Sequence, residues 1–71
     1  MGEDNCKKFA QNIKKYREER KFSKGKMSEL VGCDYSYIGK IERSEKLPTL
    51  KMIFKIADAL EIPAKDLFDF D

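Results

Sequence analysis

Apolar residues recur along this chain at helical rather than strand spacing. Phe9, Ile13 and Tyr16 fall at i, i+4 and i+7 and predict a first helix over about residues 6–20. Met27, Leu30 and Val31 form the inner face of a short second helix, which Ser23 caps at its N-terminus. Gly32 then turns the chain through a positive φ, the usual role of a glycine after a helix. Asp34 is the expected N-cap of a third helix that turns Ile38 and Ile41 inward. Pro48 interrupts the pattern, and Thr49 caps a fourth helix whose stripe of Leu50, Ile53, Phe54, Ala57 and Leu60 is the strongest in the chain. "EIPAKDLF" restarts as a short fifth helix after Pro63, and no period-two pattern persists anywhere. The expected fold class is therefore all-α, a compact five-helix bundle.

At 71 residues the chain is long enough for one domain only, with its core over about residues 6–68. Helices two and three, joined by a short turn containing Gly32, make a helix-turn-helix over about residues 23–43. With Ile38 and Ile41 pointing in, the outer stripe of helix three is Tyr35, Ser36, Gly39, Lys40 and Arg43. That face offers hydrogen-bond donors, an aromatic ring and positive charge without a carboxylate. Such a mixture suits the edges of base pairs in the DNA major groove, where Lys donates to guanine O6 and N7 and a ring lies on a thymine methyl. Gly39 costs a helix about 1 kcal/mol relative to alanine, which is reasonable where another molecule comes close.

The segment "SKGK" puts Lys24 and Lys26 in the first turn of helix two, where the helix dipole disfavours cations. With the free N–H groups of that turn and the hydroxyl of Ser23, they read as a phosphate site; the alternative is two lysines simply exposed. Arg43 and Lys46 reach phosphates on the same side, and Tyr37 divides between packing and a phosphate contact through its hydroxyl. Arg17 and Glu42 lie beside core positions and read as an ion pair that joins helices one and three, a structural rather than a functional pair.

Composition narrows the function classes. The chain is 41% hydrophobic and 39% charged, with few glycines and prolines, as expected of an ordered globular domain. Its net charge of +2 conceals a gradient: residues 1–26 carry +5, residues 27–55 carry +1 and residues 56–71 carry −4. One end suits an anion and the other does not, unless the charges only solvate exposed faces. There is no histidine, and Cys6 and Cys33 are the only cysteines, so zinc clusters, Cys-His nucleophiles and C-x-x-C motifs are missing. Cys33 is expected to be a small buried apolar residue. No acid/base pair or activated nucleophile can be assembled, so an enzyme is not expected, nor a cofactor or a metal. No apolar run approaches a membrane span, and nothing resembles a secretory signal. A reduced, cytoplasmic protein without membrane contact is expected.

From the motifs "IKKYREERKFS", "MSELVGCDYSYIGKIERSEKLPTL" and "IFKIADALEIPAKDLF", the chain resembles the phage-repressor-like, Xre-type helix-turn-helix regulators over residues 9–68. The resemblance implies a lambda-repressor-like DNA-binding domain, with base-reading positions at Tyr35, Ser36, Gly39 and Lys40. It implies the helix-one to helix-three ion pair at Arg17 and Glu42. It also implies a homodimer on an inverted repeat, with recognition helices in successive major grooves. Three departures stand out: Lys24 replaces the common glutamine, Gly39 removes a side chain from the reading face, and Lys21 and Ser44 stand where glycine is frequent. In "DLFDFD", Leu67 and Phe68 are expected on helix four, while Phe70 has little core left to join; Ile62, Phe68 and Phe70 are the expected dimer contact. The leading expectation is a sequence-specific transcriptional regulator, a repressor or a self-regulating controller, with double-stranded DNA as partner and no small-molecule ligand. The competing reading is a protein-interaction module, such as an antitoxin, with little base readout of its own.

Overall fold

The computed structural model describes residues 2–70. Five α-helices follow one another: α1 (Gly2–Glu19), α2 (Lys24–Val31), α3 (Tyr37–Glu42), α4 (Leu50–Leu60) and α5 (Ala64–Leu67). Among the described residues there is no strand. α1 begins about a turn earlier than the apolar spacing predicts, because the residues before Phe9 are mostly polar and carry no periodic signal.

The core is built from Phe9 and Ile13 of α1, Met27 and Val31 of α2, Ile38 and Ile41 of α3, Ile56, Ala57 and Leu60 of α4, and Leu67 of α5. Each helix thus contributes an inward face, and α3 is wedged against both α1 and α2. Three of the expected inward residues point out instead. Leu30 is half exposed, and its place is taken by Ser28, which is buried. On α4, Leu50 is 64% and Phe54 51% exposed, whereas Ile56, outside the expected stripe, is fully buried. An eleven-residue helix with apolar groups on more than one side allows two faces, and docking on α2 selects the one through Ile56.

Two of the three expected N-caps, Ser23 and Thr49, are formed. Ser23 Oγ accepts from the Lys26 N–H at 2.9 Å, and Thr49 Oγ1 accepts from the Met52 N–H at 3.2 Å. Gly32 closes α2 in the left-handed region at φ 81°. Lys21, Ser44 and Glu61 adopt the same region at φ 60°, 61° and 58°, a backbone conformation that costs side-chain-bearing residues. Neighbouring side chains hold two of these turns, at Lys21 and Glu61. Arg17 Nη1 donates to the Phe22 carbonyl at 2.7 Å, just past Lys21, and Arg20 Nε donates to the Leu60 carbonyl at 3.0 Å, just before Glu61.

The C-terminal segment is better seated than its composition suggests. Phe68 packs on Phe9 of α1, with ring centroids 4.9 Å apart. Phe70, for which no core seemed left, packs against the core as well. Asn12 Nδ2 donates to the Leu67 carbonyl at 3.0 Å and to the Asp69 carbonyl at 3.3 Å, drawing the segment onto α1. Phe68 and Phe70 border an apolar groove of about 260 Å³ that Cys6, Leu47, Pro48 and Ile53 also line. No helix among the described residues is long and apolar enough to cross a membrane.

Candidate functional site

α2 and α3 are joined by residues 32–36 and meet closely. Ser28 explains much of the join. Its buried hydroxyl lies 2.9 Å from the Lys24 carbonyl and 3.1 Å from the Tyr35 carbonyl, so it ties α2 to the entry of α3. α3 itself starts at Tyr37, three residues after Asp34. Asp34 is therefore not its N-cap: the carboxylate instead accepts from the Ser36 hydroxyl at 2.7 Å and the Ser36 N–H at 3.3 Å, closing a turn ahead of the helix. These two hydrogen bonds, the hydroxyl's first, hold the Asp34 carboxyl below its ordinary pKa.

Tyr35 and Ser36 consequently stand in the turn before α3 rather than on its first helical face, and both are exposed. Tyr35 is 76% exposed, and its ring lies over Gly25: a methyl group there would come within 2.7 Å of Cε2. Gly25 was not among the residues marked by the sequence, although a glycine in the first turn of α2 is the same kind of anomaly as Gly39. Tyr37 turns toward the core and is half buried, which favours its packing role.

Gly39 is buried, so it is not the open contact point that its place in the stripe suggests. Arg43 folds back over it, and a methyl group on Gly39 would come within 2.9 Å of Arg43 Nη1 and 3.7 Å of Lys24 Cδ. The rim of α3 is therefore the exposed Tyr35, Ser36 and Arg43 with the half-buried Lys40, and the Lys24 stem lies alongside. Arg43 Nε donates to Glu45 at 2.7 Å; the pair raises the pKa of the guanidinium and lowers that of the carboxyl through their hydrogen bond. Lys24, Lys26 and Lys46 are exposed, and Lys26 reaches Glu29 at a loose 3.6 Å.

Behind this rim Arg17 of α1 and Glu42 of α3 meet in a two-point pair, Nε to Oε2 at 2.6 Å and Nη2 to Oε1 at 3.1 Å. Their side chains are only 8% and 4% exposed. The hydrogen bond to Glu42 raises the Arg17 pKa above its ordinary value, and burial opposes it. The pair fixes the angle at which α3 is presented.

Ile62 does not join Phe68 and Phe70. It borders a separate hollow with Tyr16, Glu19, Arg20 and Leu60. Cys6 and Cys33 are free and half buried, so Cys33 is less enclosed than expected. Among the described residues no cluster of His, Cys, Asp or Glu is arranged to hold a metal.

A short helix, a glycine-closed turn and a second helix pinned by a buried ion pair define a helix-turn-helix domain. The chain belongs to the helix-turn-helix family HTH_3, whose model matches residues 13–67. Its fold is similar to that of the restriction-modification controller protein C.AhdI from Aeromonas hydrophila, with a TM-score of 0.88 and 34% identity over 92% of this chain and 98% of that one. It is similar too to the N-terminal DNA binding domain of SinR from Bacillus subtilis, with a TM-score of 0.80 and 30% identity, covering 89% of this chain and 93% of that domain. In sequence it is 35% identical over 51 residues to the HTH-type transcriptional regulator SutR of Escherichia coli, covering 72% of this chain and 29% of SutR. The chain spans 29–62% of the length of the relatives it matches in sequence.

Proposed function

We propose that the chain is a sequence-specific DNA-binding transcriptional regulator that inserts α3 into the major groove. The observation that carries this reading is the rim of Tyr35, Ser36, Lys40 and Arg43 on a helix clamped from behind by Arg17 and Glu42. Donors, a ring and positive charge on a rigidly held edge match what base pairs display in that groove. C.AhdI is a controller protein, and the SinR domain a DNA-binding one, which supports the same use of the shared fold. Ser23, Lys24 and Lys26 act on phosphate at the start of α2, where free N–H groups and the helix dipole favour an anion; Lys46 acts on phosphate beyond α3. As a binding protein the chain carries out no catalytic step, needs no cofactor and works in the cytoplasm.

Two copies on an inverted repeat suit the fold. Phe68 and Phe70, with the exposed Leu50 and Phe54, offer apolar surface for a two-fold contact; Ile62 contributes from its own hollow. Sedimentation in the presence and absence of DNA measures this contact, and a monomer on a single half-site would remove it.

Selection from a random duplex library at physiological salt, followed by titration of the winner against scrambled DNA, tests the reading. A short inverted repeat bound about 10³-fold or more above scrambled DNA is expected. Weak, equal binding to every sequence would leave only the electrostatic attraction of a cationic surface and overturn it.

A further inference from the structure

From its place just beyond the end of α3, the sequence assigns Arg43 to phosphate. Its geometry says otherwise. The side chain runs back along the helix by one turn, and its guanidinium lies over Gly39, in the middle of the face presented to the groove. A methyl group at position 39 would meet Nη1 at 2.9 Å and push the guanidinium off this seat. Glu45 holds the guanidinium there, taking Nε at 2.7 Å and Nη2 loosely at 3.4 Å. Nη1 carries two N–H groups that Glu45 does not take. One of them, with the outer hydrogen of Nη2, forms a two-donor edge, and that edge matches the paired acceptors O6 and N7 of guanine.

We infer that Arg43, seated over Gly39 and steadied by Glu45, reads a guanine in the major groove, so that Gly39 leaves room for a reader instead of removing one. Glu45 is its positioning residue. The inference rests on the proposed DNA-binding function and adds a residue to its readout. An arginine free to swing would serve any phosphate within reach. One held from Nε is committed to a direction, which is what base discrimination needs.

The library selection is repeated with Arg43→Lys, Glu45→Gln and Gly39→Ala, and each is titrated across salt on selected and scrambled duplexes. Arg43 and Glu45 are both half exposed, so the substitutions at these two positions keep the fold. Arg43→Lys keeps the charge. It is expected to lose about tenfold or more in preference for guanine at one base pair in each half-site, with the salt slope and the affinity for scrambled DNA unchanged. Glu45→Gln and Gly39→Ala are expected to relax the same base pair and no other, a change that loss of structural support alone would not confine to one position. Selection of an unaltered site by all three variants overturns the inference. So does Arg43→Ala weakening every sequence equally while the salt slope falls by about one unit, which marks a phosphate contact. Failure of the unsubstituted chain to select any site instead overturns the DNA-binding reading itself, and that outcome is seen before any variant is made.

Discussion

Two arginine–glutamate pairs lie on opposite sides of the third helix, and they have the same chemistry but different surroundings. Arg17 and Glu42 meet behind α3, almost out of water, in a two-point contact, with the third side-chain nitrogen of Arg17 donating to the Phe22 carbonyl. Arg43 and Glu45 meet in front of it, each about half exposed. Burial makes the first pair part of the scaffold, because neither charge can be left alone there. Exposure gives the second pair little weight in stability, because water compensates the loss of either partner, and leaves its outer edge accessible. One surface of a six-residue helix is thereby fixed and the other left open to a ligand.

The comparison is broken most severely from behind. Glu42→Ala strands the Arg17 guanidinium and is expected to lower stability by about 3–5 kcal/mol, read from urea unfolding. Replacing both partners, Arg17→Met with Glu42→Leu, is expected to recover most of that loss. A single substitution with no effect on the urea midpoint would contradict the clamp.

The caps provide a second, smaller test. Ser23→Ala and Thr49→Ala are each expected to cost about 1 kcal/mol of unfolding free energy, since each removes an acceptor for a free helical N–H. Only Ser23→Ala is expected to weaken binding to DNA as well, because Ser23 belongs to the proposed phosphate site and Thr49 does not. Equal binding losses from the two would show that general destabilisation is responsible.

Acid probes the turn that carries Tyr35 and Ser36. The folded Asp34 carboxyl has a pKa below its unfolded value, so its stabilising effect is complete above about pH 4 and is lost as pH falls through the lower folded value. Wild type is expected to be more stable than Ser36→Ala at neutral pH, with the gap closing under stronger acid. A gap that stays constant in urea titrations down to about pH 2 would contradict the sign.

The smallest effect on stability is expected in front of the helix. Glu45→Ala should leave the melting midpoint where it is and alter base preference alone. A midpoint that drops as far as in Glu42→Ala would erase the distinction between the two pairs.

How far each feature could be read from sequence follows from how local its cause is. The caps at Ser23 and Thr49 and the turn at Gly32 depend on residues within a few positions, and they stand out in the sequence. The pairing of Arg17 with Glu42 was legible only through a family resemblance and their places beside core positions. The inward face of α4 was misjudged because Leu50 and Phe54 are as apolar as Ile56, and only packing on α2 distinguishes them. Phe68 finds Phe9, and Asn12 finds the carbonyls of Leu67 and Asp69, across most of the chain's length, where spacing says nothing. Gly25 and Gly39 were of a third kind. A glycine in a helix announces a close approach without saying by what, and here the visitors are Tyr35 and Arg43 of the same chain.

The most direct test of the account is the change in backbone amide NMR shifts as a duplex carrying the selected site is added. Residues 23–26 and 35–46 are expected to move strongly and together, since the start of α2 and the rim of α3 form one surface. Shifts confined to α4, α5 and the segment around Phe68, with the amides of α3 unmoved, would contradict a groove-reading third helix.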